Sequence, residues 1–172
     1  MIVKASGSST GSFYFYFKNK EDIFAAALES FGQRISETLS SAIAAAGDNP
    51  IDQMRAAVER LVVFMAENPD EARILVVESS GLGAGLEQSR RKIVDSHVRS
   101  VKQALSQMST VLPPLDAALA ARCWVGSLYE SVYHWLEQPV GRRPPAENVA
   151  TAVAEFNLRG IGAWPQGKAL SG

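Results

Sequence analysis

From residue 20 to within a dozen residues of the end, apolar side chains return at steps of three and four, the spacing that places them on one side of a helix. Ile23, Leu28, Phe31, Ile35, Leu39 and Ile43 mark such a stripe over 20–46, and Met54, Val58, Leu61, Val62 and Met65 mark another over 51–67. Ile93, Val94, Val98, Val101, Leu105 and Met108 do the same over 86–109, and Val149, Ala152, Val153 and Phe156 over 146–161. The breaks are as plain as the stripes: Gly47-Asp48-Asn49-Pro50, Asn68-Pro69-Asp70, Pro113-Pro114 and a Pro/Gly/Arg linker over 138–145. Ile74-Leu75-Val76-Val77 alone has strand-like composition. No second run could pair with it and a Pro-Asp start precedes it, so 71–78 reads as helix. The expected fold is all-α.

One segment asks for more than a single core. Over 115–137, Leu119, Cys123, Trp124, Val125, Leu128, Tyr129, Val132, Tyr133, Trp135 and Leu136 leave little polar surface, and a helix apolar nearly all round must be covered on more than one side. The first helix, 20–46, would be a rod of about 39 Å, long enough to join a separate amino-terminal unit to the body. Glu21 and Asp22 at its start favour the helix dipole.

Charge and cysteine usage narrow the classes of function. The net charge of −1 excludes a protein that coats nucleic acid by bulk charge, yet Lys4, Lys18 and Lys20 give residues 1–20 a charge of +3, leaving −4 for the rest. The basic bias is confined to the amino end. With one cysteine, Cys123, in an apolar run, no disulfide framework can form within a chain, and a buried structural thiol in a reducing compartment is expected. No leader-like apolar segment opens the sequence and no run reaches the length of a membrane span, so a soluble intracellular protein is expected. Neither His97 nor His134 has a cysteine or carboxylate at metal-binding spacing, and no nucleophile–base pattern is present. Gly81, Gly83 and Gly85 follow no strand, so their spacing carries no nucleotide-binding reading. Neither an enzyme nor a cofactor or metal site is expected.

The amino-terminal stretch 8–24, SSTGSFYFYFKNKEDIF, carries the clearest chemistry. Ser8 or Ser9 can cap a helix start, and Phe13 and Phe17, four apart, share a face that turns inward. Tyr14 and Tyr16 then project hydroxyls elsewhere, and Lys20 adds a cation, the groups that position a helix on a phosphate backbone. Gly7, Ser9, Gly11, Ser12, Phe13, Tyr14, Phe17, Lys20 and Glu21 resemble the G-x-S-x-G-T-L-Y-x-H-F-x-x-K-E signature of the tetracycline-repressor (TetR) family of bacterial transcription regulators. Ser12 stands where the family has Thr and Tyr16 where it has His, both retaining a hydrogen-bonding group. The resemblance implies a recognition helix of about residues 9–16 in a helix-turn-helix, with Ser9, Thr10 and Ser12 near base edges or phosphates. It makes Tyr14, Tyr16 and Lys20 phosphate contacts, and Phe13 and Phe17 the residues that hold the helix to its own domain. Family members carry a further helix ahead of this motif, so the chain reads as an amino-terminally shortened member that binds operator poorly.

The resemblance extends along the chain. It implies a partial helix-turn-helix and connecting helix over 1–46, an effector-binding and dimerisation domain over 47–172, and a homodimer formed by 115–137 and 146–161 in a four-helix bundle. Operator DNA and a small apolar or aromatic effector are the implied partners, with the effector releasing the protein from DNA. The alternative is a dimeric effector-binding or interaction module without DNA binding. Candidate lining residues are Leu61, Phe64 and Met65, then Ile74 and Glu78, then Val94, His97 and Val101, and finally Trp124 and Leu128. Met, aromatics and one or two polar groups suit such an effector, with His97 or Glu78 to orient it. These side chains equally well fill one another's space, with His97 a hydrogen-bonded core residue. Arg90, Arg91, Lys92, Arg99 and Lys102 read as a solvated face, ahead of a second DNA contact.

Overall fold

The computed structural model describes residues 19–78, 83–108 and 116–163, with the Glu78 side chain outside that description. Among the described residues the α-helices are α1 Lys20–Ala45, α2 Pro50–Glu67, α3 Pro69–Arg73, α4 Ala84–Gln107, α5 Ala117–Glu137 and α6 Ala146–Gly160, with no strand. Local chemistry sets where they start. The Asn19 side chain accepts from the Asp22 amide at 2.8 Å to open α1, and Asn49 accepts from Ile51 at 2.9 Å ahead of Pro50 to open α2. Asp116 takes the Ala118 and Leu119 amides at the start of α5. Gly47, at φ +78°, turns the chain after α1 through a left-handed conformation that other residues avoid.

The all-α expectation holds. Two details differ from it. Of the 71–78 segment only residues 71–73, the end of α3, are α-helical, and Ile74–Glu78 widens into a π-helical turn. The Leu75 carbonyl there accepts from Arg90 Nε on α4 at 3.1 Å, a bond to another helix of the kind a widened turn leaves room for. At the glycine cluster, Gly83 (φ +110°) precedes α4 and Gly85 lies inside it, so that helix begins two residues earlier than the apolar stripe indicates.

Packing joins the long helices in a ring. α1 lies against α2 and α4, α2 makes its most extensive contact with α6, and α4 packs along α5. The stripe of α1 is spent on this core: Leu28, Phe31 and Ile35 are fully buried, each worth about 1.5–3 kcal/mol relative to exposure. Arg55 on α2 pairs with Glu155 on α6, and the guanidinium holds that carboxyl below its ordinary range. The ring is weakest between α5 and α6, which touch sparingly within one chain. Their link includes Asn157, buried, whose Oδ1 accepts from Ser127 at 2.8 Å. Between them runs an open groove lined by Trp135, Val149, Ala152, Val153 and Phe156, the last of these 68% exposed. Leu119 is also exposed, at 61%. The excess apolar surface read from the sequence is therefore present on the folded chain. The expectation of a buried thiol is corrected: Cys123 is exposed, because Ala121, Trp124, Val125 and Leu128 take the inward side of α5 and leave position 123 on the outward one.

Candidate ligand cavity

Inside the ring, the second half of α1, the first half of α2, the second half of α4 and the first half of α5 diverge around a cavity of about 430 Å³. That is within the range of small-molecule sites. Met54, Val58 and Leu61, at i, i+4 and i+7 on α2, form one buried wall, and Trp124, Val125 and Leu128 on α5 form another. The rim is polar and exposed, with Ser36 and Ser40 from α1 and Ser100, Gln103 and Gln107 from α4. None of the lining residues is a lysine, arginine, aspartate or glutamate.

Two titratable groups line the cavity, and they meet each other. His97 Nδ1 lies 3.0 Å from Tyr129 Oη, joining α4 to α5. Burial alone lowers the His97 pKa to about 4, so the ring is neutral at pH 7. Burial also pushes the Tyr129 phenol well above its ordinary value, against a smaller opposing pull from the Arg90 charge. The cavity is thus electrically neutral, with its polar groups at the rim and at this one pair.

Of the ten candidate lining residues, Leu61, His97, Val101, Trp124 and Leu128 are brought together here. The others lie elsewhere. Phe64 leaves the cavity side of α2 to stack on Phe31, with ring centroids 5.5 Å apart, and the guanidinium of Arg34 sits 5.6 Å and that of Arg60 5.7 Å from its ring. Met65 is fully buried in the core, and Ile74 is packed against that core from the π-helical turn. Val94 faces an outer groove between α4 and α5, beside Arg90, Arg122 and Tyr133. The Glu78 side chain lies outside the described residues, as do Ser9, Thr10, Ser12, Phe13, Tyr14, Tyr16 and Phe17. Lys20 is exposed in the first turn of α1, its ammonium 5.4 Å from the Phe24 ring.

Sequence reasoning missed Tyr129, Met54 and Val58 as lining residues. A signal for Tyr129 existed: a phenol in an apolar stripe needs a buried partner, and His97 is the one uncharged ring nitrogen source in the facing stripe.

Two family models match the sequence. That for bacterial regulatory proteins of the tetR family covers residues 1–34, and that for the tetracyclin repressor-like C-terminal domain covers residues 47–161. The chain belongs to the TetR family. It is a transcriptional regulator of the DNA-binding, helix-turn-helix class, which matches the resemblance read from residues 7–21. An uncharacterized HTH-type transcriptional regulator, YdgC, of Bacillus subtilis (strain 168) is 28% identical over 96% of this chain and 82% of its own length. Two solved TetR-like folds superpose well. The fatty acid degradation regulator FadR from Bacillus halodurans gives a TM-score of 0.79 at 20% identity, covering 93% of this chain and 86% of that one. FadR from Bacillus subtilis in complex with stearoyl-CoA gives 0.78 at 19% identity, covering 95% and 87%.

Proposed function

We propose that this TetR-family regulator is a cytoplasmic repressor that binds operator DNA as a homodimer and is released when an apolar or aromatic molecule enters the cavity. The observation that carries the reading is the position of α1. Its first turn falls within the segment matched to the tetR-family regulatory model, and its second half, through Ser36, Leu39, Ser40 and Ile43, is a wall of the cavity. A molecule that spreads α1 from α4 would tilt the rod that carries the recognition segment. In a dimer this changes the distance between two half-site readers, which must match a helical turn of DNA, ~34 Å.

Residues 1–46 then form the reading unit with its connecting helix, and 47–172 the effector and dimerisation domain. Ser9, Thr10, Ser12, Tyr14, Tyr16 and Lys20 contact the operator. The dimer forms through 115–137 and 146–161, where the groove around Phe156 and the exposed Leu119 offer apolar surface to a second copy. The stearoyl-CoA in the Bacillus subtilis FadR structure supports an effector with a long apolar part, and the uncharged walls here suit one.

The test is selection from a random double-stranded DNA pool, followed by binding isotherms at several salt concentrations. Enrichment of a palindromic sequence is expected, bound with low affinity by this chain. Lys20→Ala should weaken binding to all sequences alike and flatten the salt dependence, and Phe156→Glu should give a monomer mass by sedimentation and lose operator affinity. A pool that shows no enrichment would favour the effector-binding module without DNA binding.

A further inference from the structure

The polar pair at the cavity wall specifies what kind of group an effector can bring inside. This rests on the cavity being the effector site. Tyr129 is buried and its hydroxyl has His97 Nδ1 as its hydrogen-bond partner. In a neutral pair, the arrangement that leaves no buried donor unused has the phenol O–H donating to Nδ1, since the opposite tautomer would strand the phenol proton in an apolar site. With Nδ1 accepting, the ring proton resides on Nε2. No buried side-chain polar atom among the described residues lacks a partner, and His97 has no partner besides Tyr129. Nε2 is therefore not sealed in the core but open to the cavity that His97 lines. The pair presents one fixed N–H donor to the interior.

We propose that the buried polar group of the effector is an uncharged hydrogen-bond acceptor, a carbonyl of the ester, thioester, amide or ketone class, held by the His97 Nε2–H, and that the site rejects the free carboxylic acid. Three observations favour a neutral acceptor over an anion. No lysine or arginine from any of the four helices lines the cavity. The cation whose charge reaches Tyr129, Arg90, faces the outer groove instead, its Nε bonded to the Leu75 carbonyl and its Nη1 3.9 Å from Glu87. Making His97 itself the cation would break the Tyr129 O–H donation to Nδ1 and add a buried charge, so a carboxylate entering here loses its water without gaining a counter-ion. An amine finds no carboxylate, and the group the buried pair presents to it is itself a donor. Ser96 offers no donor to a carboxylate, because its hydroxyl proton is given to the Ile93 carbonyl at 2.7 Å.

The experiment compares methyl octanoate, octanoate and octylamine, which share one apolar chain, by titration calorimetry on the full chain at pH 7.5. The ester should bind roughly tenfold or more tightly than the acid or the amine, the discrimination expected for an unpaired charge in an apolar site. His97→Leu should cut ester affinity by about fivefold, the effect of one neutral hydrogen bond, and His97→Gln, which keeps an N–H donor, should restore part of it. Octanoate binding as tightly as the ester, or tightening with proton uptake as the pH falls from 8 to 6, would overturn the proposal while leaving the cavity as effector site. Binding of every probe unchanged in Ala104→Trp, which obstructs the cavity, or binding of none to the wild type, would overturn the effector-site reading and this inference with it.

Discussion

α1 packs tightly on α4 at Gly32, and adding one methyl group there tests whether this contact holds α1 in place. A Cβ built on Gly32 would lie 2.8 Å from Ile93 Cγ1 and 2.9 Å from Cδ1, nearer than real Cβ atoms come to their neighbours. Two terms of opposite sign compete in Gly32→Ala. Replacing glycine in a helix interior contributes roughly 0.5–1 kcal/mol of stability, while forcing a methyl into a packed contact costs about 1–3 kcal/mol. Ile93 is buried and has little room to retreat, so the second term wins, with a net loss of about 1 kcal/mol. For a chain of this length that is a fall in Tm of about 2–4 °C. In an Ile93→Ala background the obstructing carbons are gone and the sign should reverse, Gly32→Ala then stabilising by roughly 0.5–1 kcal/mol. Urea unfolding followed by far-UV circular dichroism, at one protein concentration because any self-association couples to stability, reads all four proteins. The same sign of effect in both backgrounds would refute the close-approach argument.

His97 makes stability depend on pH. Its folded pKa of about 4 lies below the ordinary 6.5, so as pH falls below 6.5 the unfolded chain takes up the proton first. Stability present above pH 6.5 is then lost toward pH 4, by up to about 3 kcal/mol. Comparing wild type with His97→Gln at pH 7 and pH 5 should show about 2 kcal/mol of this difference, and parallel curves would mean the ring is not held neutral. Asp116→Ala removes the acceptor for the Ala118 and Leu119 amides and should cost about 1 kcal/mol in thermal unfolding, with Asp116→Asn retaining most of it. Asn157→Ala leaves the Ser127 hydroxyl without its α6 acceptor and opens space between α5 and α6; a loss of roughly 1–3 kcal/mol is expected in urea unfolding, and none would show that the link is slack.

The sequence by itself determined the long helices, the breaks between them and the excess apolar surface of 115–137, because these depend on interactions a few residues apart. Asn19, Asn49 and Asp116 act on amides two or three positions ahead, and a stripe such as Met54, Val58 and Leu61 follows from the helical period alone. The motif at residues 7–21 likewise made the family legible without coordinates, since its signature is local. What lies across from each stripe is not local. Leu61 and Phe64 are three residues apart on α2, yet one lines the cavity and the other stacks on Phe31, because α1 fills the space beside Phe64 with a ring and leaves the space beside Leu61 open. Val94 and His97 part in the same way, toward an outer groove and the interior. Cys123 and Trp124 are neighbours, and one is exposed while the other is buried. The His97–Tyr129 pair spans 32 positions and two helices, so the apolar stripes could signal that each polar group needs a partner but not bring the two to 3.0 Å. A helix turns 100° per residue whatever surrounds it, so the chain fixes which side chains share a face; only the arrangement of the other helices decides whether that face meets protein, a cavity or solvent.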